Sequence, residues 1–567
     1  MRPSLETPRA AETSARQEAA IAEDAAVRAA EAFDPGEEPI AEPAPGRQAG
    51  RIARSTAFFS VATAASRVAG LVREIFAASY FGVKGPMSAF TIAFQVPNLI
   101  RSLFADAALQ PAFVPIFTEQ LEKRNYREAF RLASTLLLLV TIVLGAITAL
   151  FVIFAPLIMP LFAPGFTGEI KDLTITLSQI LFPILILLGL SGVVVGILNS
   201  YDRFGAFAIA PLFWNVTIIV VLVALVPQFE GNDRIYAYAI GVLAGTLVQL
   251  LIPVFDLRNT PFSFSWSFAW RNRDVRRVLL LMLPVTISLG LINFNLLINS
   301  FFGSLVSGEG DLAPAAIDKA FRIYQLPQGI FSVAIATVLF PTLARFAARG
   351  ATDDLRSTMA NGMRQILFVL LPAAAAVLVL SEPMIRLVYQ RGEFTPSQTT
   401  LVATALFWFA FSLPTNGLFL LLTRTFFSLQ RPWVPTAIAG ANLAVTAIAA
   451  ALLYKPFGVA GIVASTAIAT TASVIAECVI LRRELGGLDL GRFAFSAFRI
   501  TIAAAALGAV SYAVWDVLDQ QLGRSLTDQV ISLSAALAAG GLVYLAAVWA
   551  LRVPELEQIM RLLRRGG

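Results

Sequence analysis

About 14 apolar segments of roughly 20 residues or more follow one another along this 567-residue chain. They lie near 55–80, 87–117, 132–160, 172–199, 206–228, 235–255, 278–303, 315–345, 365–390, 399–428, 434–454, 458–481, 493–515 and 527–551. A bilayer core of about 30 Å takes roughly 20 apolar residues per helical crossing, so each segment is a candidate span. Composition agrees: 57% of residues are hydrophobic and 14% charged, against roughly 25% charged in a soluble domain. The expected fold is an all-α integral membrane protein with about 14 transmembrane helices. Pro97, Pro327 and Pro414 fall inside spans, where the missing backbone donor is expected to bend the helix.

Chemistry is narrowed by what the chain lacks. It has one cysteine, Cys478, and no histidine, so an internal disulfide framework and a cysteine-ligated cluster are excluded. The commonest metal ligand and general base is missing as well. No G-x-x-x-x-G-K-[ST] phosphate loop is present. Neither a metal nor a cofactor is expected.

Residues 1–50 carry ten acidic and five basic side chains and read as a disordered cytoplasmic tail with no apolar face to bury. Lys and Arg gather in alternate connections, at Lys123 to Arg131, Arg258 to Arg277, Arg345 to Arg364, Arg482 to Arg499, and Arg552 to Arg565. The positive-inside rule then places both termini in the cytoplasm. With these basic residues set between spans, the pI near 9.6 points to anionic lipid headgroups rather than nucleic acid. Phe262 to Trp270 alternates aromatic residues with Ser or Ala before an arginine cluster, as an interfacial anchor would.

Short matches recur at a near-constant offset. Phe94-Gln95-Val96-Pro97 resembles Tyr324-Gln325-Leu326-Pro327, and Arg203 followed by Pro211 resembles Arg431 followed by Pro435. Phe162 to Thr167 likewise resembles Tyr389 to Thr395. The pattern gives two six-helix parallel repeats: an N-lobe over 51–260 and a C-lobe over 274–485, joined by an interfacial linker over 261–273. Residues 486–567 add two helices and a cytoplasmic end. Parallel repeats with a site between them are a plan of secondary transporters.

Ionisable residues within spans cost about 2.5–3.5 kcal/mol or more and usually face a cavity. Arg67 lies near the middle of the first span, with Glu74 seven positions on and available as its partner. Arg73 points away in a straight helix, but Gly70 permits a bend. Arg101 follows Pro97 by one turn, and Arg322 occupies the related place in the eighth span. Guanidinium forks pair bidentately with phosphate and stay charged, so the four arginines read as a cationic cavity for a polyanion, plausibly a diphosphate. Asn293, Asn295 and Asn299 crowd the seventh span, Asn299 being a candidate binding residue. Asp353-Asp354 reads as a solvated helix start rather than a metal site.

These residues resemble the MurJ/MviN family of the MOP exporter superfamily. The likeness covers Ser66-Arg67-Val68, Gly70, Arg73 and Glu74, and is strongest from Pro97-Asn98-Leu99 and Arg101 to Ala112-Phe113-Val114-Pro115. It continues through Ala163-Pro164-Gly165-Phe166, Ile197-Leu198-Asn199, Arg203-Phe204, Arg322, Pro327, Gly329, Phe427, Ser428 and Gln430. The resemblance implies a flippase of the bacterial inner membrane that moves lipid II, the lipid-linked peptidoglycan precursor, outward by alternating access. Arg67, Arg73, Arg101, Arg322 and Asn299 would line its cavity, the last two helices would hold the polyprenyl tail, and cell-wall synthases are conceivable partners. Ser88 and Gln325 stand where the family often has acids. No carboxylate occurs in 278–303 or 434–454, leaving Asn442 and Thr446 as candidate oxygens for sodium and making drive by membrane potential more attractive. The alternatives are an exporter of another lipid-linked oligosaccharide and a non-transporting scaffold for cell-wall synthesis.

Overall fold

A computed structural model describes residues 47–104, 109–488 and 490–556. Side chains are described throughout except at 47–57, 59–60, 101–104, 109–111, 283–293, 490 and 492. The expected tail over 1–50 therefore lies almost wholly outside the described residues. Among those residues every regular element is helical.

The helices, in order, are α1 (Arg47–Phe81), α2 (Gly85–Phe104), α3 (Leu109–Glu122), α4 (Tyr126–Phe162), α5 (Gly168–Leu181), α6 (Ile184–Ser200), α7 (Gly205–Leu225) and α8 (Ile235–Leu257). They continue with α9 (Arg273–Ser304), α10 (Ala313–Pro327), α11 (Val333–Ala348), α12 (Thr352–Tyr389), α13 (Pro396–Ser428), α14 (Trp433–Glu484), α15 (Leu490–Leu522) and α16 (Leu526–Ala550). Among the described residues, ten helical stretches are long and apolar enough to cross a membrane.

One of the ten, α14, runs for 52 residues, about 78 Å at 1.5 Å per residue. It does not run straight. Asn442 donates through Nδ2 to Ser473 Oγ at 2.9 Å, although 31 residues of straight helix would separate them by about 46 Å. The chain folds back at Gly458, whose φ of 55° and ψ of −134° are non-helical. Two spans thus pack side by side with almost no loop between them. Counting α14 twice and adding α1, the α2–α3 pair and α9 gives the fourteen crossings read from the sequence.

Helix breaks follow local chemistry. Pro183 has no N–H and separates α5 from α6 within one crossing. Pro327 ends α10 and is followed by a π-helical stretch over Gln328–Ser332. Pro97 and Pro414 instead sit inside uninterrupted α2 and α13. The interruption in α12 is at Leu380 (φ −111°, ψ 16°), three residues before Pro383, whose ring crowds the preceding turn.

Exposed surface is apolar where lipid is expected. On α4, Ile153, Leu157 and Leu161 repeat at helical spacing and are each about 70% exposed, a stripe that only lipid or protein can cover. The hairpin of α15 and α16, capped at Ser525 by a reciprocal Ser–Asp528 pair, leans on α12 through a Tyr544 hydroxyl that donates to Phe368 O at 2.5 Å.

The aromatic linker is extended and lies along α4. Ser265 N donates to Ser134 Oγ at 3.0 Å, Thr135 Oγ1 donates to Ser267 O at 2.9 Å, and Ala269 N donates to Thr135 Oγ1 at 3.3 Å. Alternation in an extended chain sends the intervening Phe264, Trp266, Phe268 and Trp270 outward, and all four are exposed.

Candidate functional site

A single carboxylate organises the charged centre. Glu74, on the far half of α1, is buried. Its Oε1 accepts from Arg73 Nη2 at 2.6 Å and lies 3.3 Å from Arg322 Nε. Its Oε2 accepts from Lys319 Nζ at 2.5 Å. Arg322 also donates from Nε to Asp318 Oδ2, one turn back on α10, at 3.0 Å. Arg73 lies 4.5 Å from the centre of the Trp214 ring of α7, and its Nε is buried without a hydrogen-bond partner. Three cations meet two carboxylates, so the cluster retains one positive charge, and Arg322 remains about one-third exposed. Such a group is open to an approaching anion.

The cluster belongs to a larger seam between the lobes. Ser79 O accepts from Glu393 N at 2.8 Å, and Val83 N donates to Gln398 Oε1 at 3.1 Å. Lys84 Nζ meets Glu393 Oε2 at 2.5 Å, and Ala315 N donates to Ser88 Oγ at 3.2 Å. Gly165 N donates to Ser304 Oγ at 3.2 Å. A Cβ on Gly165 would stand 1.8 Å from Ser304 O, so the α4–α5 turn can approach α9 this closely only as glycine. All these contacts lie at the bundle end that carries the α1–α2, α4–α5, α9–α10 and α12–α13 connections. Just below that end Ser300 Oγ donates to Gln95 Oε1 at 2.6 Å, and at the opposite end of α9 Gln120 Nε2 donates to Asp274 Oδ2 at 2.9 Å.

A second feature is a cavity of about 290 Å³ within the C-lobe. Asn295, Asn299, Gln325, Gln328, Asn416 and Asn442 supply much of its polar lining. Asn295 Nδ2 donates to Asn442 Oδ1 at 3.1 Å, and Asn299 Nδ2 donates to Thr466 Oγ1 at 3.5 Å. The Oδ1 atoms of Asn295 and Asn299 are buried without partners. Thr446 donates to its own helix, at Asn442 O.

The structure thus distributes the sequence candidates over several places. Arg73 and Arg322 meet at Glu74. Asn299 is buried at the C-lobe cavity instead. Arg67 is exposed on α1 and has no ion pair among the described residues. The Arg67–Glu74 partnership suggested by helical phase is replaced by Glu74 with Arg73, Lys319 and Arg322, because cations from α10 reach the carboxylate first. Arg101 lies in α2, its side chain outside the described residues, as is that of Asn293. Sequence reasoning missed Lys319, which is fully buried, together with Asp318 and Trp214. The signal was present, since Asp318 and Lys319 fall within the expected span 315–345.

Comparison with known proteins identifies the family. The family model described as "Lipid II flippase MurJ" matches residues 77–527. A "Probable lipid II flippase MurJ" of Rhizobium meliloti (strain 1021) is 33% identical over 522 residues, covering 89% of this chain and 95% of the relative. One from Rickettsia prowazekii (strain Madrid E) is 31% identical, covering 73% and 81%. Among solved structures, "Lipid II flippase MurJ, inward closed conformation" aligns with a TM-score of 0.72 at 23% identity over 87% of this chain and 98% of that one. An inward-facing multidrug MATE transporter of the MOP superfamily aligns with a TM-score of 0.63 at 15% identity over 74% and 94%. Those two likenesses speak for the fold, while the family model and the sequence relatives carry the assignment: this multi-pass membrane protein belongs to the lipid II flippase MurJ family.

Proposed function

We infer that this chain is a lipid II flippase, moving the lipid-linked peptidoglycan precursor between leaflets of the bacterial inner membrane. The observation that carries the reading is the cationic cluster of Arg73, Lys319 and Arg322 around Glu74, placed where the two lobes meet in a member of this family. The diphosphate of the substrate binds the arginines, with Arg322 as the accessible fork and Arg67 and Arg101 adding charge along α1 and α2. Asn299 acts from the C-lobe side.

Transport is of the secondary type and involves no covalent step. With both termini cytoplasmic, the seam from Ser79–Glu393 to Glu74–Lys319 closes the outward end, and rocking of the lobes opens that end while closing the other. A ligand shifts such an equilibrium only by its differential affinity for the two states. An anion that competes with Glu74 for Arg322 has that property, because it loosens the contact that holds the outward end shut.

The test is transfer of fluorescent lipid II across proteoliposomes by wild type, Arg322→Ala and Arg101→Ala, with thermal stability measured alongside. A lost charge-assisted hydrogen bond of about 1.5–3 kcal/mol predicts a roughly 10- to 150-fold fall in apparent affinity. Unchanged transport in both variants sinks the assignment of the arginines.

A further inference from the structure

A fully buried acid outside the arginine cluster is Glu477, in the second arm of α14. Oε1 accepts from Thr423 Oγ1 of α13 at 2.9 Å, and Oε2 has no hydrogen-bond partner among the described residues. No cation among the described residues lies within ion-pair distance of it. Arg424, next to Thr423, turns its guanidinium over the Phe340 ring of α11 at 5.6 Å. Arg431 and Glu484, nearer the helix end, satisfy each other at 2.5 Å. Cys478 is the remaining titratable neighbour on α14 itself. An isolated ionised carboxylate is so costly in an apolar interior that it takes up a proton instead.

Glu477 also sits at the end of a polar path. Thr466, Thr470, Ser473 and Glu477 are spaced at i, i+4, i+7 and i+11, which puts them on one helix face. Thr466 and Thr470 line the asparagine cavity, and Ser473 Oγ accepts from Asn442. The N-lobe offers an internal comparison. There Trp214 Nε1 donates to Thr246 Oγ1 at 3.1 Å, as Asn442 does to Ser473, and Thr246 precedes Ser473 by 227 residues. Gln249 stands 228 residues before Glu477 and lines an N-lobe cavity of about 240 Å³. A non-titrating amide occupies the repeat-related place in one lobe, and an acid occupies it in the other.

We propose that Glu477 is a proton-binding site that couples the C-lobe to a proton gradient. The carboxylate takes a proton on Oε2 and holds it as the neutral acid in this arrangement. It exchanges that proton with water through the hydroxyl face and the asparagine cavity when the helices rearrange. Intramembrane acids in polar files serve this purpose in pumps and transporters. The coupling half of the proposal rests on the carrier reading above, while the proton site itself does not.

The test combines spectroscopy with transport on the full chain. Infrared difference spectra of wild type against E477Q, a near-isosteric change, are expected to show the carbonyl band of a neutral carboxylic acid at neutral pH. That band should titrate away as pH rises, and Thr423→Val should displace its midpoint. In proteoliposomes carrying fluorescent lipid II, an imposed pH gradient should change the wild-type rate, and the ratio of rates with and without the gradient should fall to unity in E477Q. Comparable thermal melts establish that the variant is folded. A band absent from wild type, or displaced by sodium rather than by pH, overturns the proton site. An unchanged gradient response in E477Q overturns the coupling. Should wild type move no lipid II at all, the carrier reading fails while the band and its titration still decide the proton site.

Discussion

Lys319 and Glu74 meet at 2.5 Å across the two lobes, and the Lys319 side chain reaches no solvent. A lysine in that position depends on its carboxylate: remove the acid and the ammonium is left buried beside two guanidinium groups. The pair therefore holds α1 against α10 and also tolerates the arginines, which would otherwise repel each other.

Glu74→Gln is expected to cost about 3–5 kcal/mol, the usual consequence of stranding one member of a buried pair. Glu74→Gln with Lys319→Met should recover a large part of that loss, because the stranded charge disappears with its partner. Thermal denaturation of the two variants in one detergent checks the coupling. Additive losses would mean that the pair does not hold the lobes together.

Gly458 carries the fold-back of α14 at φ 55° and ψ −134°, a region that side chains rarely enter. Gly458→Ala should destabilise the protein by about 1–3 kcal/mol. It should do so without a steric clash, since the nearest atom to the added Cβ, Val306 Cγ1, is at an ordinary contact distance of 3.5 Å. A melt indistinguishable from wild type would show that the turn can relax.

The exposed pair Lys84–Glu393 gives the seam between the lobes a pH dependence. A hydrogen bond from Lys84 holds the Glu393 carboxyl below its ordinary value. Its contribution is thus present above the unfolded-state value and is lost as pH falls through the lower folded-state value. Being exposed, the pair contributes only about a few tenths of a kcal/mol. Spin labels on the α1–α2 turn and the α12–α13 turn should report a broader distance distribution once the pH falls below the ordinary carboxylate range. In Glu393→Gln that acid-dependent broadening should be missing.

Thr135→Val removes the hydroxyl that both donates to Ser267 O and accepts from Ala269 N. Amide exchange over residues 265–269 should accelerate by roughly 5- to 150-fold, corresponding to about 1–3 kcal/mol for half-buried groups left unsatisfied. Unaltered exchange would mean that the aromatic side chains, rather than the serines, hold the linker.

Much of this architecture was legible because each crossing needs a run of apolar residues whose length the bilayer sets. The starts of α7, α8 and α14 fall within one residue of the expected spans, and even the two arms of α14 were separable on either side of Lys455-Pro456. The charged site was only partly legible. Helical phase relates Arg67 to Glu74 along one helix, but it carries no information about which neighbouring helix will supply a closer cation. Lys319 was overlooked for that reason: its meaning depends on Glu74, 245 residues earlier. Asn299 was similarly ambiguous until Thr466 and the cavity wall supplied its surroundings. Prolines differ in whether they interrupt a helix: Pro97 and Pro414 lie inside unbroken helices, whereas Pro183 and Pro383 mark interruptions.

The extended linker has a mechanical consequence. Its serine face is fastened to α4 as far as Ala269, and α9 begins at Arg273. Asn272 then donates through Nδ2 to Glu128 of α4 at 3.3 Å, so a single Cα-to-Cα step of about 3.8 Å separates the last side-chain fastening from the first residue of α9. The chain is therefore a short leash. It lets α9 swivel about its first residues while forbidding wide separation there, so large excursions between the lobes must occur by pivoting about this corner rather than by parting at it.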